Sequence, residues 1–264
     1  MTSAGPLATR EWPSSHAADA GDDGTILLIH GITGWGRTWW RVAPALAEHG
    51  HRVVTLDLRG HGESPPIGGV ASVGTLATDV ERTVEAVGLV PLDAIVAHSL
   101  GAAVSAELAY RRPDIARRLV LEDPPGQTRA DDVEFQAHIE RETLAARADP
   151  EAEVRRELAE NPAWLEEDAR QNVEGRALCD LAGILAMLRA DTGVRPVELA
   201  PMLRVPALYL IADANRSALG ARRAELIRAV PPGGEVVEID SGHTIHRDRF
   251  DLYRDAVLAW LQEA

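Results

Sequence analysis

The chain predicts an α/β fold: a mostly parallel central sheet, helices on both faces, and a helical block inserted before the last strands. Three observations carry this. Short apolar runs alternate with amphipathic helical stretches up to about residue 122, an acidic strand-free stretch follows over 126–200, and strands then resume. Alternating strands and helices imply right-handed crossovers and parallel pairing.

The elements follow in order. Residues 1–24, rich in Ala, Ser, Gly, Pro and Asp, read as a loose lead-in with at most one edge strand near residues 7–12. Thr25-Ile26-Leu27-Leu28-Ile29 is a continuous apolar run, the mark of a strand buried on both faces. A helix fits 38–49, and Arg52-Val53-Val54-Thr55-Leu56 is a second strand. Helical spacing over 75–87 ends at Gly88. Ala94-Ile95-Val96-Ala97 is a third strand, residues 100–111 form a helix stopped by Pro113, and Leu119-Val120-Leu121 is a fourth strand. Acidic helices are expected over 133–146, 151–160, 165–173 and 177–189. Strands return at Ala207-Leu208-Tyr209-Leu210-Ile211 and Glu235-Val236-Val237-Glu238-Ile239, before a last helix over 248–261. The core domain is thus 1–125 together with 201–264, with 126–200 inserted as a helical cap.

Composition narrows the function. A formal charge of −14 excludes a basic nucleic-acid or anionic-membrane surface. All 27 cationic side chains are arginine, as a GC-rich coding bias would give. The arginines of the insert are outnumbered by acids, so no anionic substrate is implied. Cys179, the single cysteine, excludes an intramolecular disulfide and reads as a buried packing thiol. The chain starts without a signal-peptide pattern and has no run of ~18 apolar residues, so a cytoplasmic protein is expected.

Three segments carry chemistry. Ala97-His98-Ser99-Leu100-Gly101 sits between strand and helix, where a tight turn lifts a serine Oγ above the sheet edge and aims the next N–H into the site. Small residues two before and two after the serine let the backbones approach; here the first is Ala97, not the glycine of the strict motif. His30-Gly31-Ile32-Thr33-Gly34 ends the first strong strand. Its Ile32 N–H, with that of Leu100, would form an oxyanion hole, each donor worth ~3–4 kcal/mol. Ser241-Gly242-His243 follows the last strand and can set an imidazole beside Ser99 as general base. His16, His49, His51 and His138 lie in polar or helix-end contexts, His61 reads as a loop anchor, and His246 as pointing along its loop.

Together with Leu56-Asp57-Leu58-Arg59-Gly60-His61-Gly62-Glu63-Ser64, these stretches make the chain resemble the α/β-hydrolase superfamily from Thr25 to Leu261. The resemblance implies an eight-stranded, mostly parallel sheet with a helical cap, shortened here for want of clear counterparts of the first two strands. It also implies a triad of Ser99, His243 and an acid. The usual acid position, after the strand that follows the cap, falls on Asn215, which cannot carry the charge. Some haloalkane dehalogenases and the fungal zearalenone lactonases hold their acid at the end of the strand before the cap. Glu122 falls there and is the first choice, its longer arm suiting a strand further from the histidine loop. Asp213 is second and Asp123 third. Otherwise Glu122 would pair with Arg117 or Arg118, and Asp213 would cap a loop.

Thr33, Trp35 and Trp164 are the expected pocket walls, suited to an apolar or ring-bearing substrate; Trp39 and Trp40 equally suit packing of the first helix. The reading is a serine esterase or lactonase acting through an acyl-enzyme on a small-molecule substrate, with no cofactor and no metal. Carbon–carbon bond hydrolysis, cofactor-free perhydrolysis and a non-catalytic ligand receptor on this fold are the alternatives. A nucleic-acid or membrane partner is not expected, and a homo-oligomer stays open.

Overall fold

The computed structural model describes residues 6–12, 24–69, 71–127, 130–190 and 193–262. The rest of the lead-in expected over 1–24, with His16, lies outside them. The strands are β1 (Thr9–Trp12), β2 (Thr25–Ile29), β3 (Arg52–Leu56), β4 (Leu92–His98), β5 (Ala116–Glu122), β6 (Ala207–Ile211) and β7 (Glu235–Glu238). They form one sheet in the order β1-β3-β2-β4-β5-β6-β7, with β1 antiparallel to β3 and every other pair parallel. Among the described residues the sheet therefore has seven strands rather than eight, closed on one edge by the single strand expected near residues 7–12.

Strand parity sorts the core. Ile26, Leu28, Val53, Ala94, Val96, Val120, Leu208 and Leu210 face α1 (Val42–Glu48) and α11 (Phe250–Gln262). Their neighbours Leu27, Ile29, Val54, Ile95, Leu119, Leu121, Tyr209 and Ile211 face α2 (Val73–Ala86) and α3 (Leu100–Arg111). Both faces are covered, which is why the strands read as continuous apolar runs. Each buried Leu or Ile contributes ~1.5–3 kcal/mol to this packing.

Between β5 and β6 the chain is helical: α4 (Val133–Ala148), α5 (Pro150–Glu160), α6 (Glu166–Leu178), α7 (Leu181–Arg189) and α8 (Pro196–Leu199). Asp132 and Asp149 cap α4 and α5 through their side chains, and Pro150 occupies the first position of α5. The last expected insert helix, 177–189, starts later: Asp180 accepts from Gly183 N at 3.1 Å and caps Leu181. The same carboxylate takes Ile67 N at 2.9 Å, tying the insert to the loop before α2. A small apolar cluster, Ala146, Val154, Ala169 and Val173, joins α4, α5 and α6. After β6 come α9 (Arg223–Ala229), then β7, α10 (Ile245–Asp248) and α11; the expected helix over 248–261 is split at Arg249. Among the described residues, no helix is long and apolar enough to cross a membrane.

Candidate active site

Ser99 joins β4 to α3 at φ 51°, ψ −115°, a left-handed backbone that a non-glycine residue adopts at a cost of ~1–3 kcal/mol. Its N–H donates to the carbonyl of Glu122 at 2.9 Å, pinning the turn to the neighbouring strand. A Cβ on Gly101 would run into the carbonyl oxygens of Ile29 and His30, so glycine is required there. Ala97, by contrast, buries its methyl in the core between sheet and α3, so the departure from the strict motif is absorbed by packing. Leu100 opens α3, and its N–H is among those a helix N-terminus leaves without an intrahelical acceptor.

His243 lies on the loop after β7. Its Nε2 is 3.0 Å from Ser99 Oγ and its Nδ1 is 2.6 Å from Asp123 Oδ2. A carboxylate on Nδ1 fixes the proton there and leaves Nε2 to accept from the serine hydroxyl. Asp123 is fully buried and sits one residue past β5 at φ 38°. Its Oδ1 also accepts from Ala212 N at 3.1 Å and Ser217 Oγ at 2.6 Å, and its Oδ2 from Ala218 N at 2.8 Å. These four donors match the lone-pair sites of an ionised carboxylate. The arrangement can take a proton from Ser99 and hold the resulting imidazolium.

The expected acid, Glu122, is therefore corrected: its carboxylate does not meet His243. Glu122 shares the parity of Val120 and faces the α1/α11 side, where it accepts from His246 Nδ1 at 2.8 Å and from His246 N at 2.9 Å. Neither Arg117 nor Arg118 pairs with it; Arg118 instead donates to the carbonyls of Trp260 and Leu261. Asp213 caps a turn, accepting from Asn215 N at 3.0 Å with Arg216 3.8 Å away.

Three buried histidines, His30, His61 and His98, are held neutral. His30 Nε2 accepts from Leu58 N at 3.0 Å, so its Nδ1–H donates to the Gly31 carbonyl at 2.7 Å. Burial pushes the pKa of His30 down to about 4, and burial with the neighbouring His30 pushes His61 to about 3. His98 donates from Nε2 to the carbonyl of His243 at 3.1 Å, bracing the loop that carries the imidazole. Burial first, then the charge of His243, hold its pKa well below the ordinary histidine value.

A cavity of about 390 Å³ opens over Ser99 and His243, between the sheet edge and the helical insert. Ile32, Thr33, Leu100 and Trp164 line it. Trp35 does not. It is buried against α6, donating from Nε1 to the Gln171 carbonyl at 3.1 Å, so it packs sheet to insert. Trp39 reaches the cavity wall, while Trp40 donates to Asp168 at 2.9 Å. Cys179 is buried and Thr143 Oγ1 lies 3.9 Å from its sulfur. Sequence reasoning missed the His98 brace and the Glu122–His246 pair; the parity of Val120 with Glu122 was the available signal for the latter.

The order of strands and this serine turn define an α/β-hydrolase architecture. The chain belongs to that family: the description "alpha/beta hydrolase fold" matches residues 24–249. A mouse protein, the sn-1-specific diacylglycerol lipase ABHD11, is 27% identical over 250 residues, covering 89% of this chain and 80% of its own. The (E)-2-((N-methylformamido)methylene)succinate hydrolase of Acinetobacter baylyi is 22% identical, covering 94% of both chains. The solved enol-lactonase of Burkholderia xenovorans LB400 superposes with a TM-score of 0.73 at 22% identity, over 97% of this chain and 96% of its own, a likeness of fold.

Proposed function

We propose that the protein is a serine hydrolase that cleaves a carboxylic ester or lactone through an acyl-enzyme on Ser99. One observation carries the reading: Ser99 Oγ, His243 and Asp123 form a continuous hydrogen-bonded chain, 3.0 and 2.6 Å per link, at the floor of a cavity. His243 takes the serine proton as Ser99 attacks the carbonyl, and the N–H groups of Ile32 and Leu100 receive the developing oxyanion. His243 then protonates the leaving alcohol and activates the water that releases the acid. Asp123 holds the imidazole tautomer and stabilises the imidazolium without itself being protonated. Residues 126–200 act as a cap over a core of 1–125 and 201–264. The lipase, hydrolase and enol-lactonase names of the relatives agree with hydrolysis on this scaffold.

A fluorophosphonate probe tests the reading. Stoichiometric labelling mapped to Ser99, abolished by Ser99→Ala, is the expected result; a folded sample that takes no label contradicts it. A panel of 4-nitrophenyl esters, lactones and ring-cleavage diketones then reads the bond class, with turnover expected on the first two.

A further inference from the structure

Arginines of the helical insert are matched by acids, among them Arg176, which lines the cavity. Arg156 and Arg176 both reach Glu142 and Glu157, and Arg170 reaches Glu151 and Glu166. Arg247 differs. It stands on α10, is only 6% exposed, and lines the same cavity as Ser99 and His243. Among the described residues no carboxylate pairs with it, and its Nε is buried without a hydrogen-bond acceptor. The guanidinium carbon lies 4.7 Å from the ring centroid of Trp164, so an aromatic face covers one side of the group and supplies no acceptor in its plane.

The acids that act on Arg247 from further off are already engaged. Asp168 accepts from Trp40 Nε1 and from Leu165 N, Glu157 takes Arg176 and Asn172, and Glu122 takes His246. Burial is the largest influence on the Arg247 guanidinium and pulls its pKa down, while Asp168, Glu157 and Glu122 act to raise it. Arginine nonetheless stays protonated in proteins, so the charge persists. A neutral molecule filling this cavity would shield the group further and leave its donors unsatisfied, a costly arrangement. A carboxylate answers the planar fork with two acceptor oxygens and one balancing charge. A phosphate dianion would bring a second negative charge toward Glu157 and Asp168, and among the described residues the other arginines of the lining, Arg176 and Arg216, are already paired.

We infer that Arg247 receives a free carboxylate carried by the substrate, so that the molecule cleaved at Ser99 is an acidic ester or lactone. This rests on the proposed hydrolase reading for its chemistry, though the binding at Arg247 can be measured apart from it. The site rejects an uncharged analogue because the buried donors then lose their partner.

The probes are the mono-4-nitrophenyl esters of succinic, glutaric and adipic acid, each compared with its methyl-capped counterpart. Native protein is expected to prefer at least one free acid over its capped form by tenfold or more in kcat/KM. Arg247→Gln should shrink that ratio at least tenfold, chiefly through KM, and Arg247→Lys should recover part of it. The ratio is internal to each sample and so is independent of the folded fraction. Capped esters preferred or equal in the native protein, or a ratio unmoved by Arg247→Gln, overturn the inference. If none of these esters turns over, the fluorophosphonate label decides the hydrolase reading, and calorimetric titration with glutarate decides this one: binding lost in Arg247→Gln supports it, and no binding to the native protein refutes it.

Discussion

Glu122 and Asp123 are neighbours in the chain, both fully buried, and each holds the Nδ1 of a histidine that follows β7. The Asp123–His243 pair presents its free imidazole nitrogen to Ser99 at 3.0 Å. The Glu122–His246 pair packs instead against Trp39, ring centroids 4.6 Å apart, and its free nitrogen is buried without a partner. Two nearly identical acid–histidine contacts thus have different uses, and backbone direction separates them. Glu122 is still in the strand and follows its parity beneath the sheet, while Asp123, in a left-handed turn one residue later, escapes that alternation. An acid beside a histidine does not make a triad; it must stand on the serine's side of the sheet.

The largest expected effect contrasts these acid-bearing histidines with two that have none. His30 and His61 are buried without a carboxylate hydrogen bond, and their pKa values fall to about 4 and about 3. The unfolded chain takes up protons below its ordinary histidine pKa of roughly 6.5, whereas the folded protein does not until those lower values. Stability is therefore fully present above pH 6.5 and falls as pH drops, by on the order of 3 kcal/mol from His30 alone by pH 4. Urea midpoints at pH 7, 5.5 and 4 check this, and midpoints that hold steady down to pH 4 would contradict it.

A smaller effect falls on the structural pair. Glu122→Gln removes the charge from His246 and from the start of α10, and is expected to cost ~1–3 kcal/mol in denaturant unfolding. Its activity per folded molecule should change far less than its stability. An unchanged unfolding midpoint would mean that the pair does not hold the loop.

The same neighbours show what could be read in the sequence. β2, β3, α3 and β6 lie where their apolar runs set them, because strands buried on both faces leave an unbroken signal. Ser99 and His243 were legible because turn chemistry ties each to the end of a strand. The carboxylate that meets His243 was not, because the choice between Glu122 and Asp123 turns on the residue at which β5 gives way to a left-handed turn, and side-chain length was a poor guide to it. Trp35 was misread for a related reason: proximity in sequence to the glycine-rich turn after β2 does not fix which way the ring turns, and α6 claims it. Arg247 was hidden by counting, since an excess of acids over the whole chain says nothing of which carboxylate stands beside a given guanidinium.

The central claim, that Asp123 and not Glu122 serves His243, is tested most directly by the rate at which a fluorophosphonate labels Ser99 in Asp123→Asn and Glu122→Gln, each normalised to folded protein. The account predicts a loss of about 10³–10⁴-fold in Asp123→Asn, as expected when the tautomer of a serine-activating histidine is no longer held, and less than tenfold in Glu122→Gln. A greater loss in Glu122→Gln than in Asp123→Asn would contradict it.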